Sequence, residues 1–166
     1  MKHKILIVLT AISLATAGHA FATSEAAHDH GDTHAHAHDG AAAVLQLNAG
    51  KKWETDAPLR KAISDIRQSM AASLEAIHKN RLPSKAYSGL AHKVEGAVGE
   101  IVANCKLEPK ADAQLHIIVA DLLAGAEQMA GKSKKAKPAD GAVRVIAALD
   151  NYGKYFNDPG FKSITH

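Results

Sequence analysis

The sequence predicts an all-α protein: an antiparallel four-helix bundle over residues 45–160, preceded by a cleaved signal peptide (1–22) and a disordered His-rich tail (23–44), and followed by a C-terminal tail (161–166). Three observations carry this reading. Four stretches repeat apolar side chains every three or four residues, the period of one helix face. No run of alternating β-branched residues competes with them. The first 22 residues have the layout of an export signal.

That signal begins with a short basic region, Lys2 and Lys4, followed by the apolar stretch Ile5 to Ala17. Ala20-Phe21-Ala22 then supplies the small-x-small pattern that signal peptidase cuts, with cleavage after Ala22 expected first and after Ala20 second. As a membrane span the segment is too short, because about 20 apolar residues are needed to cross the hydrocarbon. The expected destination is the periplasm, with no membrane attachment after cleavage.

Cleavage changes the balance of charge. Removing 22 of 166 residues leaves 144, and Lys2 and Lys4 leave with them, so net charge falls from +3 to +1. A nearly neutral chain lacks the basic face that nucleic-acid binding requires. With 4% aromatic residues it also lacks the rings on which single strands stack. Cys105 is the only cysteine, which excludes an intramolecular disulfide, a Cys-rich zinc module and an iron–sulfur protein. The domain must therefore be stabilised by its apolar core.

Residues 23–44 are mostly Ala, His, Asp and Gly with almost nothing to bury, so ordering them alone is unfavourable. Within eleven residues stand His28, His30, His34, His36 and His38, interleaved with Asp29 and Asp32. Neutral imidazole suits Cu, Zn and Ni, and the carboxylates add charge and secondary ligands. Near neutral pH most free imidazoles are unprotonated, their ordinary pKa being about 6.5. The tract is thus a compositional signal for metal binding. Its alternative is an inert hydrophilic spacer. Imidazole affinity alone does not choose among the three metals.

The first helical stripe is Leu59, Ile63, Ile66, Met70, Leu74 and Ile77, with Thr55 or Asp56 as cap, Pro58 in the first turn and Asn80 to Pro83 as the end. The second is Tyr87, Leu90, Val94, Val98, Ile101 and Cys105, starting at Ser84 and stopped by Lys106 to Lys110 with Pro109. Gly89, Gly96 and Gly99 each weaken it by up to about 1 kcal/mol unless they admit a neighbouring helix closely. The third runs from near Asp112 through Leu115, Val119, Leu122, Ala126 and Met129 to Gly131. After the basic connection Lys132 to Lys137, Pro138 and Asp140 open the fourth. There Val145, Leu149, Tyr152 and Phe156 share one face, Val143 and Ile146 lie beside it, and Asn157-Asp158-Pro159-Gly160 stops it. Four such segments on short connections pack best as an antiparallel bundle. Leu45 to Trp53 is too short for a fifth long helix and is expected to lie across the bundle, with Trp53 docked near one end.

Two resemblances attach to these residues. Leu47-Asn48-Ala49-Gly50-Lys51-Lys52-Trp53-Glu54-Thr55-Asp56-Ala57-Pro58-Leu59-Arg60 and Asn104-Cys105-Lys106-Leu107 resemble the DnrO-like group of small exported proteins, over most of residues 45–160. That resemblance implies no activity. The closing Asp150-Asn151-Tyr152-Gly153-Lys154-Tyr155-Phe156 makes the domain look like the cytochrome b562-type periplasmic bundles. This second likeness implies haem held by a Met on the first helix and a His late on the fourth. Here Gly153 stands where that His would be, Met70 is mid-helix, and Cys-x-x-Cys-His is absent, so no haem is expected.

The remaining histidines offer less. His78 and His92 read as surface residues. Cys105 and His116 fall toward one end of an antiparallel pair, where thiolate and imidazole would suit copper or zinc as a second metal site, although a lone cysteine is more often a small buried hydrophobe. Met70 and Met129 read as core. No nucleophile–base–orienter set, phosphate loop or Glu-x-x-His quartet occurs, so no enzyme is expected. The functional expectation is a periplasmic, non-catalytic metal-handling protein. The alternative is a structural or interaction module whose bundle binds an envelope protein partner while the tail acts as tether.

Overall fold

The computed structural model describes residues 44–164. The signal peptide, the five clustered histidines with Asp29 and Asp32, and residues 165–166 lie outside them. The described chain is mainly helical, in the order β1 (Trp53–Glu54), α1 (Ala57–His78), α2 (Ser84–Asn104), α3 (Pro109–Met129), α4 (Pro138–Tyr155) and β2 (Phe156–Asn157).

Local chemistry sets most boundaries. Asp56 caps α1, its Oδ1 accepting from Leu59 N at 2.9 Å. The helix closes where Asn80 turns to φ +50° and Arg81 N donates to Ala76 O, a left-handed C-terminal cap. Gly131, at φ +73°, closes α3 in the same way, with Lys132 N donating to Glu127 O. One boundary differs from expectation. Pro109 opens α3 and does not serve as a stop beyond α2, which ends at Asn104. A proline's missing N–H costs nothing in a first turn, so the same residue can mark either side of a helix boundary.

The apolar stripes meet in one core. Leu59, Ile63, Ile66, Met70 and Ile77 of α1 are buried, as are Tyr87, Leu90, Val94, Val98 and Ile101 of α2. On α3 the inward face is Ala111, Leu115, Ile118, Leu122, Ala126 and Met129, so Ile118 takes the deep position and Val119 is half-buried beside it. On α4 Val145, Ile146, Leu149 and Tyr152 point inward, whereas Val143 is 60% exposed. Tyr87 buries its hydroxyl with no hydrogen-bond partner among the described residues. A buried unpaired hydroxyl costs about 1–3 kcal/mol, so Tyr87→Phe should stabilise the domain by about 1 kcal/mol, read as a raised midpoint in urea.

Helix α3 packs most extensively on α4, then α2 on α3 and α1 on α2, with a slighter α1–α4 contact. Two glycines set the closest approach. A Cβ on Gly125 would stand 2.8 Å from the Gly141 carbonyl oxygen, and a Cβ on Gly141 would stand 2.6 Å from Met129 N. The glycines of α2 play no such part, because around Gly89, Gly96 and Gly99 nothing lies within 4 Å of that position.

The segment before α1 is fastened by long-range bonds. Asn48 to Lys51 make a tight turn with Ala49 at φ +47° and Gly50 at φ +83°, closed by Asn48 N to Lys51 O and Lys51 N to Asn48 O. Trp53 is buried, and its Nε1 donates to Gln46 O at 2.6 Å. Strands β1 and β2 pair in parallel, Trp53 against Phe156 and Glu54 against Asn157. This two-strand ladder was not expected from the sequence. Beyond it, Phe161 packs edge-on to Tyr152 and Ile164 is buried.

Candidate functional site

Asp56 holds together the end of the domain where α1 begins. Besides capping α1, its Oδ2 accepts from Lys106 N at 2.7 Å and its Oδ1 accepts from Cys105 Sγ at 3.5 Å. One carboxylate thus ties the start of α1 to the α2–α3 connection. Partial burial pushes its pKa up, but the Lys106 and Leu59 amides, the Cys105 thiol and the Arg60 charge outweigh burial and hold it below the ordinary value. A depressed carboxylate stabilises the fold above its unfolded pKa, and that contribution fades as pH falls through the folded value. Asp56→Ala should therefore cost about 2 kcal/mol, roughly one for the cap and one for the lost hydrogen bond to the Lys106 amide, measured by urea unfolding at pH 7. The difference from the parent should shrink in acid.

Cys105 follows the last turn of α2 and is half-buried. Burial, and then the negative charge of Asp56, push its thiol up to about 12. At neutral pH it therefore keeps its proton and donates to Asp56. A protonated thiol is a poor nucleophile, and a metal would have to displace that proton to bind sulfur. His116 lies on the outer side of α3, its imidazole 73% exposed, with Nδ1 2.9 Å from Asp112 O and 3.4 Å from Asp112 Oδ2. Cys105 and His116 border one cavity of about 260 Å³ together with Ile101, Leu115 and Val119. Their hydrogen bonds run in different directions, one to Asp56 and the other to Asp112.

The other two described histidines are on the surface. His78 is exposed at the end of α1, and His92 stands 3.2 Å from Glu95 Oε2. Met70 and Met129 are core residues. Among the described residues, no group of three or more His, Cys, Asp and Glu side chains is placed to hold one ion. No described helix is long and apolar enough to cross a membrane.

A second polar cluster, unmarked by any motif, surrounds the strand pair. Tyr152 OH donates to Asp158 Oδ2 at 3.0 Å, while Asp158 Oδ1 accepts from Gly160 N at 3.0 Å. Burial, then the Asp158 charge, raise the Tyr152 pKa well above that of an ordinary phenol, so it acts there as a fixed donor. Thr55 Oγ1 donates to Asn157 O at 2.7 Å, and Asn157 Nδ2 reaches both Glu54 oxygens. Arg60 Nη1 donates to Thr55 O at 2.6 Å. Of these residues Glu54, Arg60, Asn157, Asp158 and Gly160 line a cleft of about 610 Å³ between α1 and the segment after α4.

No family model, curated protein or solved structure matches the chain. A Cβ on Gly153 would come within 2.8 Å of Phe161 Cδ1, because the Phe161 ring covers the glycine.

Proposed function

We propose that the protein is an exported, non-catalytic metal-handling protein of the periplasm. Residues 1–22 are its cleaved signal, and residues 23–44 are the tail that captures a late first-row cation, Cu, Zn or Ni. The ligands are His28, His30, His34, His36 and His38, assisted by Asp29 and Asp32. One observation carries the reading: five imidazoles fall within eleven residues, three of them at alternate positions from His34 to His38. A flexible chain with that spacing can wrap several rings around one ion.

In this reading the helical domain is the carrier and is an antiparallel bundle. The short connections between helices support that arrangement. So does the order of the α3–α4 contacts, in which Gln128 and Met129 approach Gly141 while Asp121 pairs with Arg144 at 2.8 Å. Cys105 and His116 form a weaker second site, which would have to release the thiol proton to fill.

Titrating the secreted, chelator-stripped chain calorimetrically with Cu, Zn and Ni at neutral pH tests the proposal. At least one equivalent of one metal is expected to bind. A chain that binds none of the three overturns it and leaves the envelope-interaction module, with the tail as tether, as the surviving reading.

A further inference from the structure

The cleft between α1 and the segment after β2 carries an inference independent of the His tract. Arg60, Ser64 and Arg67 are spaced by four and then three residues, so they share one face of α1. Both arginines are half-buried and both line the cleft. Among the described residues neither forms an ion pair with a carboxylate. By contrast Lys61, also at the cleft, is neutralised by Asp65 at 2.7 Å. Half-burying a guanidinium with no carboxylate in ion-pair contact is costly, for Arg67 above all because the Asp56 charge partly offsets Arg60, and a bound anion would recover that cost.

The acidic groups at the cleft keep their charge but pair with neither arginine, being held by other donors. Glu54 accepts through both oxygens from Asn157 Nδ2, and Asp158 accepts from Tyr152 OH and Gly160 N. The arginines themselves are held in place. Arg60 donates Nη1 to Thr55, and Arg67 donates Nε to the Lys162 carbonyl. Each guanidinium has five N–H donors, so anchoring by one or two leaves a planar, oriented fork. Phe161 provides an apolar wall beside them. A volume of about 610 Å³ accommodates a small organic molecule.

We propose that this cleft binds a small monocarboxylic acid with an aromatic or similarly flat apolar body, its carboxylate held by Arg60 and Arg67 with Ser64 between them, and its body against Phe161. Charge-assisted, fork-shaped donors match a carboxylate's two oxygens, and the ring gives the rest of the molecule a dry face. Glu54 and Asp158, which also line the cleft, disfavour ligands of higher negative charge, which selects a monoanion over phosphate.

The test uses the full secreted chain and three probes: benzoate, acetate and inorganic phosphate. Side-chain NMR signals of the Arg67 Nε–H and the Phe161 ring report occupancy without any variant. Benzoate is expected to shift both at millimolar concentration, to bind at least tenfold more tightly than acetate, and to saturate at one equivalent. Arg67→Gln should weaken benzoate at least tenfold, and Arg67→Lys should recover part of that loss. No shift of either signal at millimolar benzoate overturns the proposal. So does phosphate binding as tightly as benzoate, or Arg67→Gln leaving affinity unchanged. Removing residues 28–38 is expected to leave benzoate binding as it was, so this result stands or falls apart from metal capture.

Discussion

Deleting residues 28–38 is expected to lower the affinity for Cu, Zn or Ni at least a hundredfold, about 2.7 kcal/mol, while leaving the melting temperature of the helical domain unchanged. Both halves of that expectation follow from position. The deleted stretch holds all five clustered imidazoles, whereas the buried core begins at Trp53. The intact chain should lose metal steeply in acid. A ring must be neutral to donate its lone pair, so each imidazole ligand costs about tenfold in affinity per pH unit below its free pKa of about 6.5. A three-imidazole site would weaken roughly a thousandfold at pH 5.5, and calorimetry at pH 7.5, 6.5 and 5.5 would show the slope. Should full affinity survive the deletion, the donors lie in the folded domain. Cys105→Ser, which removes the thiol that shares a cavity with His116, would then be the variant to examine.

The four helices were readable because burial of one face imposes a 3.6-residue repeat that nothing else in the chain imitates. The cap at Asp56 was readable for a local reason, since an aspartate before Ala57-Pro58 needs only its own next turn. Its reach to Lys106 N was not, because that bond joins residues 50 apart. The same limit hid the strand pair, two residues on each side and 103 positions apart at Glu54 and Asn157. It also hid the anion cleft. Arg60, Ser64 and Arg67 have the spacing of any solvated helix face, and only the return of Asn157 to Phe161 turns them into a wall. Cys105 kept the register of the α2 stripe yet is only half-buried, because the helix ends at Asn104 and the chain turns away. The His tract is legible as composition, which identifies donors but not the geometry they adopt.

Glycine spacing shows the limit most sharply, and it leads to a second large effect. Gly141→Ala should destabilise the domain by about 3 kcal/mol and lower its melting temperature by roughly 10 °C. Alanine is the better helix former, so propensity alone predicts a gain of up to about 1 kcal/mol. Packing reverses the sign. The new methyl would stand 2.5 Å from Gly125 O, 2.6 Å from Met129 N and 2.7 Å from Gln128 Cβ. Two of these are backbone atoms of α3, which no side-chain rotation can move aside. Helices α3 and α4 would have to separate along the most extensive helix contact in the domain. Gly89→Ala supplies the control, because that position is exposed on α2 with nothing within 4 Å. There the propensity gain is unopposed, and the melting temperature should rise by about 2–4 °C. Thermal melts of both variants by circular dichroism separate the two effects. If Gly141→Ala melted at or above the parent, α3 and α4 could not cross at the separation that Gly125 and Gly141 permit.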